Sequence, residues 1–420
     1  MPSVVIIGAG VAGSALAFAL ASRGIETTML EKSRFHVDRV RGEWIAPWGV
    51  LEARQLRLYD RLLRAGAHHV TCHLSFPETG LGEPLHSDLS TVVEGVRGPL
   101  TMQHVQICNA LNAAAVEAGA RLLRGVDRLQ FIGSKPSRIT FTRDGVRHEM
   151  TCDLLVGADG RGSSVCRQLG IRRLSDPPRY LITGLLVEEV QGWPDTAQTI
   201  GTEGDVVYFV FPQGGGRSRL YLVCAKAQKG RFAGAEGARK FLEAFRFGTV
   251  EGSEALAAAR PDGPCRGYPN EDVWSTDPAA EGAVLIGDAA GHNDPIAGQG
   301  LSIAFRDARL VSEILSSSSR WGRAEFQPYV RERRERMRRM RFMGRLIAEW
   351  RAGFDEEGTR RRHAALLNHQ RDPEAVLPAV ASLLGVHTLP AELFTAEARD
   401  RFFGSRMQPW TDELAPLQAC

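Results

Sequence analysis

Short apolar runs that stop at glycine-rich turns, followed by segments of helical spacing, set the pattern of this chain. Val4 to Ile7 is a continuous apolar run, the signature of a strand buried on both faces of a parallel sheet. Gly8-Ala9-Gly10-Val11-Ala12-Gly13 follows, then good helix formers to about Arg23, with Gly24 as the stop. Glu26 to Leu30 reads as a second strand with Glu31 at its end. Two later stretches repeat the design. Asp153 to Ser164 runs an apolar strand into Asp159, Gly160 and Gly162, with Ser163 or Ser164 placed to cap a helix over 165–169. Gly282 to Gly300 runs another into Gly287-Asp288, and a helix from near Gly298 to about Leu315 is broken by four serines, 316–319.

Between these stretches the spacing predicts helices over 50–65 and 104–118 and a strand over 121–126. Alternating apolar positions in Tyr180–Val190, Val206–Pro212 and Leu220–Ala225 predict an antiparallel sheet. Residues 331–351 place Met337, Met340, Met343, Leu346, Ile347 and Trp350 near helical spacing, as a docked helix with a solvated basic face. The fold class expected is α/β. A Rossmann-like nucleotide domain made of 1–75, 101–175 and 276–318 carries an inserted antiparallel substrate sheet, 76–100 with 176–275. A C-terminal helical region, 319–420, completes the chain.

Composition narrows the function. The 420 residues suffice for two or three domains, and a net charge of +3 is too small to imply nucleic acid. Seven cysteines without CxxC or Cys/His spacing argue against a metal site and suit a reducing, cytoplasmic setting. Val4 to Ala21 is apolar, but glycines interrupt it and no basic segment precedes it, so no stable membrane insertion is expected.

The chemistry sits at the turns. In Gly8-x-Gly10-x-x-Gly13 the first glycine allows the tight turn, the second lets backbone approach a pyrophosphate, and the third lets helix pack on strand. The helix that follows aims free N–H groups at the phosphates. Glu31 is placed to accept from a ribose hydroxyl and would repel a 2′-phosphate, which favours FAD or NAD here over NADP. Arg39 and Arg41 are candidates to neutralise the pyrophosphate, a solvated loop being the plain alternative.

Together these three stretches resemble the class A flavoprotein monooxygenases, the para-hydroxybenzoate hydroxylase family, over about residues 1–315. The resemblance implies FAD, held by Gly8, Gly10, Ala12, Gly13, Glu31, Lys32, Arg41, Val126 and Asp159. Asp288 would bind the ribityl chain, Gly298, Gln299 and Gly300 would face the flavin N1–C2=O edge, and Pro295 would lie over the ring. His104 stands where the family usually has Arg or Gln. Gly291 intrudes before His292, where the family's pattern puts His directly after Gly-Asp-Ala-Ala.

The resemblance further implies transient NAD(P)H as donor, O2 carried as a C4a-hydroperoxyflavin, and hydroxylation of an aromatic small molecule, with a homodimer left open. A His292–Asp294 pair could deprotonate a phenol, or the two could simply bond backbone and shape the loop. Tyr208 and Tyr221 are rival proton handlers, with core packing the plainer role. Aromatic residues such as Phe76, Tyr180, Trp193, Phe209, Phe211 and Trp274 lean towards a bulky, largely apolar substrate. Flavin-dependent halogenases and prenyl reductases share the three stretches and are the alternative chemistries. A flavin-bound protein without turnover is the third.

Overall fold

The computed structural model describes residues 3–40, 42–76, 78, 84–132, 137–318 and 320–410. Its nucleotide-binding part is a six-stranded sheet in the order Ala279–Ala280, Ala283–Leu285, Leu154–Gly157, Ser3–Ile7, Glu26–Glu31, Arg121–Arg124. The last five strands pair in parallel, and Ala279–Ala280 joins antiparallel. Ile7 lies beside Leu30 and Gly157, and Gly157 beside Leu285. Parallel pairing in that register brings the turns after four strands to one edge, where open α/β sheets bind ligands.

The helix Val11–Ala21 is buried along all but its last residue. It packs between the helices His104–Glu117 and Gly300–Ser317, which explains why its sequence has no polar face. The expected helix over 50–65 is two, Pro47–Gln55 and Tyr59–Arg64. Arg57 between them is left-handed at φ 59°, a conformation that cannot continue a right-handed helix. The helix after Gly298 continues through Ser316 and Ser317, whose hydroxyls donate back to the carbonyls of Ser312 and Ile314.

The second large sheet is built on Tyr180–Glu188, Arg217–Ala225, Val206–Gly214 and Ala197–Glu203, antiparallel neighbours in that order. The strand Cys72–Ser75 pairs parallel to Ala197–Glu203 and leads on to Leu85–Asp88, so the chain enters this sheet at Cys72, ahead of residue 76. One face carries Val207, Phe209, Tyr221 and Val223, packed with Met337, Met340 and Met343 of the long helix Gln327–Arg351. The opposite face carries Tyr208, Val210, Leu220 and Leu222 under Phe241, Phe245 and Phe247.

The basic face expected to be solvated on that long helix is in part buried. Arg333 and Arg336 are each 1% exposed and share the buried carboxylate of Asp307. Among the described residues no helix is long and apolar enough to cross a membrane, and no cluster of His, Cys, Asp or Glu could hold a metal ion.

Candidate active site

Four strand ends meet one cavity of about 1140 Å³, lined by Gly8, Glu31, Asp159 and Asp288. That exceeds the roughly 300–1,000 Å³ of ordinary ligand pockets and leaves room for an elongated dinucleotide beside a separate substrate. The glycines divide their work as the motif requires. A Cβ on Gly8 would lie 2.4 Å from the Ala158 carbonyl oxygen, and one on Gly13 2.0 Å from that of Gly8. A Cβ on Gly10 would meet nothing within 4 Å, so the space there is open for a phosphate. Asn112 braces the loop from beneath, donating to the Ala9 carbonyl (2.9 Å) and to Ser14 Oγ (2.6 Å).

Glu31 accepts from the backbone N–H groups of Ala9 and Ser33, each at 2.8 Å. Those bonds fix the carboxylate at the strand end and leave lone pairs for a diol. Ala12, Lys32, Arg39, His104 and Val126 also line the cavity, while Arg41 lies outside the described residues. His104 is engaged through Nδ1 with the Gly42 carbonyl at 3.2 Å. Asp159 lines the cavity, yet its carboxylate turns to the following helix. It accepts from Ser164 N (2.7 Å), Ser164 Oγ (2.9 Å) and Ser163 Oγ (2.5 Å). Ser163 in turn caps Cys166 N at 2.9 Å. Asp288 faces Arg161, whose Nε is 3.4 Å from its Oδ2. The sequence offered no reason to single out Arg161.

Pro295, Gly298, Gln299 and Gly300 line the same cavity. Gly298 is left-handed at φ 68° with the Trp44 ring against it. Gln299 is held on three sides: its Oε1 accepts from Trp48 Nε1 at 2.8 Å, and its Nε2 donates to the carbonyls of Ala297 (2.5 Å) and Ser382 (3.1 Å). Trp44 donates to Gln198 of the large sheet at 2.8 Å. Trp44 and Trp48 thus tie the turn at 298–300 to both the sheet and the C-terminal helices. Beneath Asp288, Arg333 donates to the carbonyls of Gly287 (3.1 Å), Ala290 (3.1 Å) and Gly291 (2.9 Å), and Asp307 accepts from Gly287 N at 2.9 Å. Nothing in the local pattern around 331–351 marks Arg333, because its partners all lie outside that helix, Asp307 26 residues back and the three carbonyls more than 40.

His292 and Asp294 do not pair. His292 lines the cavity, 4% exposed, with Nε2 3.6 Å from Glu271 Oε1. Burial pushes its imidazole below the ordinary histidine range, so the ring is neutral at neutral pH. Asp294 does not line the cavity. Its carboxylate accepts from Ile296 N (2.8 Å) and Asn270 Nδ2 (2.9 Å), and its N–H donates to Asp272 (3.0 Å). It therefore shapes the loop, the bland reading of the two. The intruding Gly291 has a physical reason: at φ 124° a Cβ would stand 2.4 Å from the Val273 carbonyl oxygen, inside the short pairing of Gly291–His292 with Val273–Trp274.

Burial pushes the Asp294 carboxyl up to about 6, against an unfolded value of about 4. Between those values the unfolded chain has released the proton that the folded chain keeps, so folding stability falls as pH rises from about 4 to about 6. Asp294→Asn should flatten this slope, checked by denaturant midpoints at the two ends of the window.

Tyr208 faces away from the cavity. Strand alternation puts it on the far face, 2% exposed, with its ring 4.5 Å from Phe247. Tyr221, on the near face, does line the cavity. Of the aromatic set expected near substrate, Phe209 and Phe211 line it, whereas Phe76 packs at a tilt against Trp193 behind the sheet and Trp274 lies under Arg341.

A protein-family model described as "FAD binding domain" matches residues 1–341. The chain belongs to that family. FAD is its cofactor, and the residues present fit it: an open Gly10, a fixed Glu31 and Asp288, and one continuous cavity. Squalene monooxygenase of Mus musculus is 25% identical over 327 residues, covering 75% of this chain and 54% of its own. The chain spans about half the length of the curated relatives it matches first. Among solved structures, the flavin-dependent brominase Bmp2 superposes with a TM-score of 0.73 at 19% identity, covering 96% of this chain and 97% of the other. PqsL of P. aeruginosa in complex with 2-aminobenzoylacetate gives 0.71 at 19%, covering 85% and 98%. The fold is that of the class A flavoprotein monooxygenases.

Proposed function

We propose that this flavoprotein is a monooxygenase that uses NAD(P)H and O2 to hydroxylate a bulky, largely apolar aromatic small molecule. The observation that carries the reading is the continuity of the cavity. From the strand ends that suit FAD it runs to a chamber walled by Trp44, Ile200, Phe209, Phe211 and Trp350. Bound FAD supplies acceptance of a hydride from NAD(P)H and activation of O2.

The protein's own part is to bind, orient and exclude water. The N–H groups at Gly298–Gly300 head an eighteen-residue helix, Gly300–Ser317, whose positive end suits negative charge on a reduced ring. The apolar walls keep water from a reactive oxygen species. His292, neutral and lining the cavity, is the group suited to take a phenolic proton at Nε2, with Glu271 close enough to stabilise the imidazolium that results. His292→Gln should lower kcat about 10²-fold with little change in KM, whereas Tyr208→Phe should leave both unchanged.

The test is NAD(P)H oxidation by the flavin-loaded protein with a panel of bulky phenols, in air and without it. One oxygen atom from labelled O2 in the product supports the reading. A product that forms only with halide would favour the halogenase chemistry that the brominase likeness keeps in view, and one formed without O2 a reductase.

A further inference from the structure

The buried arginines of the described chain all have carboxylate partners: Arg219 with Glu43 and Asp38, Arg333 and Arg336 with Asp307, Arg362 with Glu78, and Arg399 with Glu349. Arg351, half-buried in the cavity wall, has none among the described residues. It ends the long helix, lines the cavity beside Trp350, and its guanidinium has no hydrogen bond or ion pair among the described residues. The Trp350 ring lies 3.8 Å from the guanidinium carbon. The helix end is nevertheless fixed, since the Arg351 carbonyl accepts from Thr202 Oγ1 at 2.8 Å. Burial brings Arg351 down to about 10, so it stays charged at neutral pH.

A second bare group stands with it. His73 lines the same part of the cavity and lies opposite Gln198 in the sheet register, next to the Trp44–Gln198 hydrogen bond. Its Nδ1 is buried without a partner, and burial drives the ring down to about 4, so the imidazole is neutral and has an N–H to donate. Arg351 is close enough to contribute to that shift. The nearby acids are already engaged: Glu78 holds Arg362, and Asp88 accepts from the backbone and hydroxyl of Ser90. A permanent cation set in the wall of an apolar chamber without a counter-charge is unfavourable, and an imidazole with a bare Nδ1 beside it adds a donor.

We propose that Arg351 and His73 form an anion subsite in the substrate chamber and take the carboxylate of an amphipathic aromatic substrate. This rests on reading the chamber as the substrate site. The ring system lies against the Phe209–Phe211 wall and the acid reaches Arg351, in a charge-assisted contact that fixes orientation.

Calorimetric titration of the flavin-loaded protein with 1-hydroxy-2-naphthoate and with 1-naphthol provides the test. Wild type should bind the acid about tenfold tighter or more. Arg351→Met should erase that preference, and Arg351→Lys should restore part of it. Arg351→Met should also raise the thermal midpoint of the ligand-free holoprotein, because an uncompensated charge is gone. Equal binding of the two probes by wild type overturns the subsite and leaves the chamber standing. Binding of neither overturns the chamber reading and the subsite with it. A strongly lowered midpoint in Arg351→Met shows a structural partner for the guanidinium and also overturns the proposal.

Discussion

Gly10→Val is expected to give folded protein that carries no flavin. The backbone at Gly10 has φ −75° and ψ −167°, which any L residue adopts, and its Cβ would touch no protein atom within 4 Å. The added methyls therefore cost the apoprotein little and occupy the space where the pyrophosphate must approach the helix N-terminus. The loss in FAD affinity should be about a hundredfold or more, ~3 kcal/mol. Flavin absorbance after gel filtration and the circular dichroism of the same sample check it. Gly13→Val is the contrasting variant, since its Cβ meets the Gly8 carbonyl oxygen at 2.0 Å and must disturb the fold itself. A yellow Gly10→Val protein would refute the phosphate site.

Arg333→Met should be the most destabilising single change outside the nucleotide loop. Arg333 is 1% exposed and donates to Asp307 and to three carbonyls in the Gly287–Gly291 turn. Removing it takes a charged donor from each of those carbonyls, leaves those of Gly287 and Ala290 only the backbone N–H groups of Ala290 and Ser275, and leaves Asp307 with one guanidinium fewer, a loss on the order of 3–5 kcal/mol. Asp288 sits in that turn, so FAD retention should fall together with the denaturant midpoint. Replacing the exposed Arg334 should change neither by more than about 0.5 kcal/mol.

What the sequence disclosed, and what it hid, follows from the range of the interactions. The glycine loop, Glu31 and Asp288 were legible because strand, turn and acid are neighbours along the chain and their spacing alone carries the chemistry. The helix Val11–Ala21 could be read for the same reason. Arg57 was not, since a single left-handed residue leaves no mark on hydrophobic spacing. Tyr208 and Tyr221 looked alike in a β-rich stretch, and only strand pairing decided that one meets the cavity and the other the phenylalanine layer behind it. His292 found Glu271 instead of Asp294 because a short antiparallel pairing, His292 opposite Val273, brings residue 271 alongside. The buried arginines of the long helix looked like surface charges for want of any local sign of Asp307.

That long helix does two jobs at once. Its Arg333 and Arg336 secure the ledge beneath Asp288, while Ile347, Trp350 and Arg351, beyond the stretch matched by the family model, wall the far compartment. An engineer who wants new selectivity should therefore splice after residue 341. A donor tail joined there would re-cut the compartment and leave the ledge intact, whereas a splice before 333 would exchange both and forfeit the coenzyme.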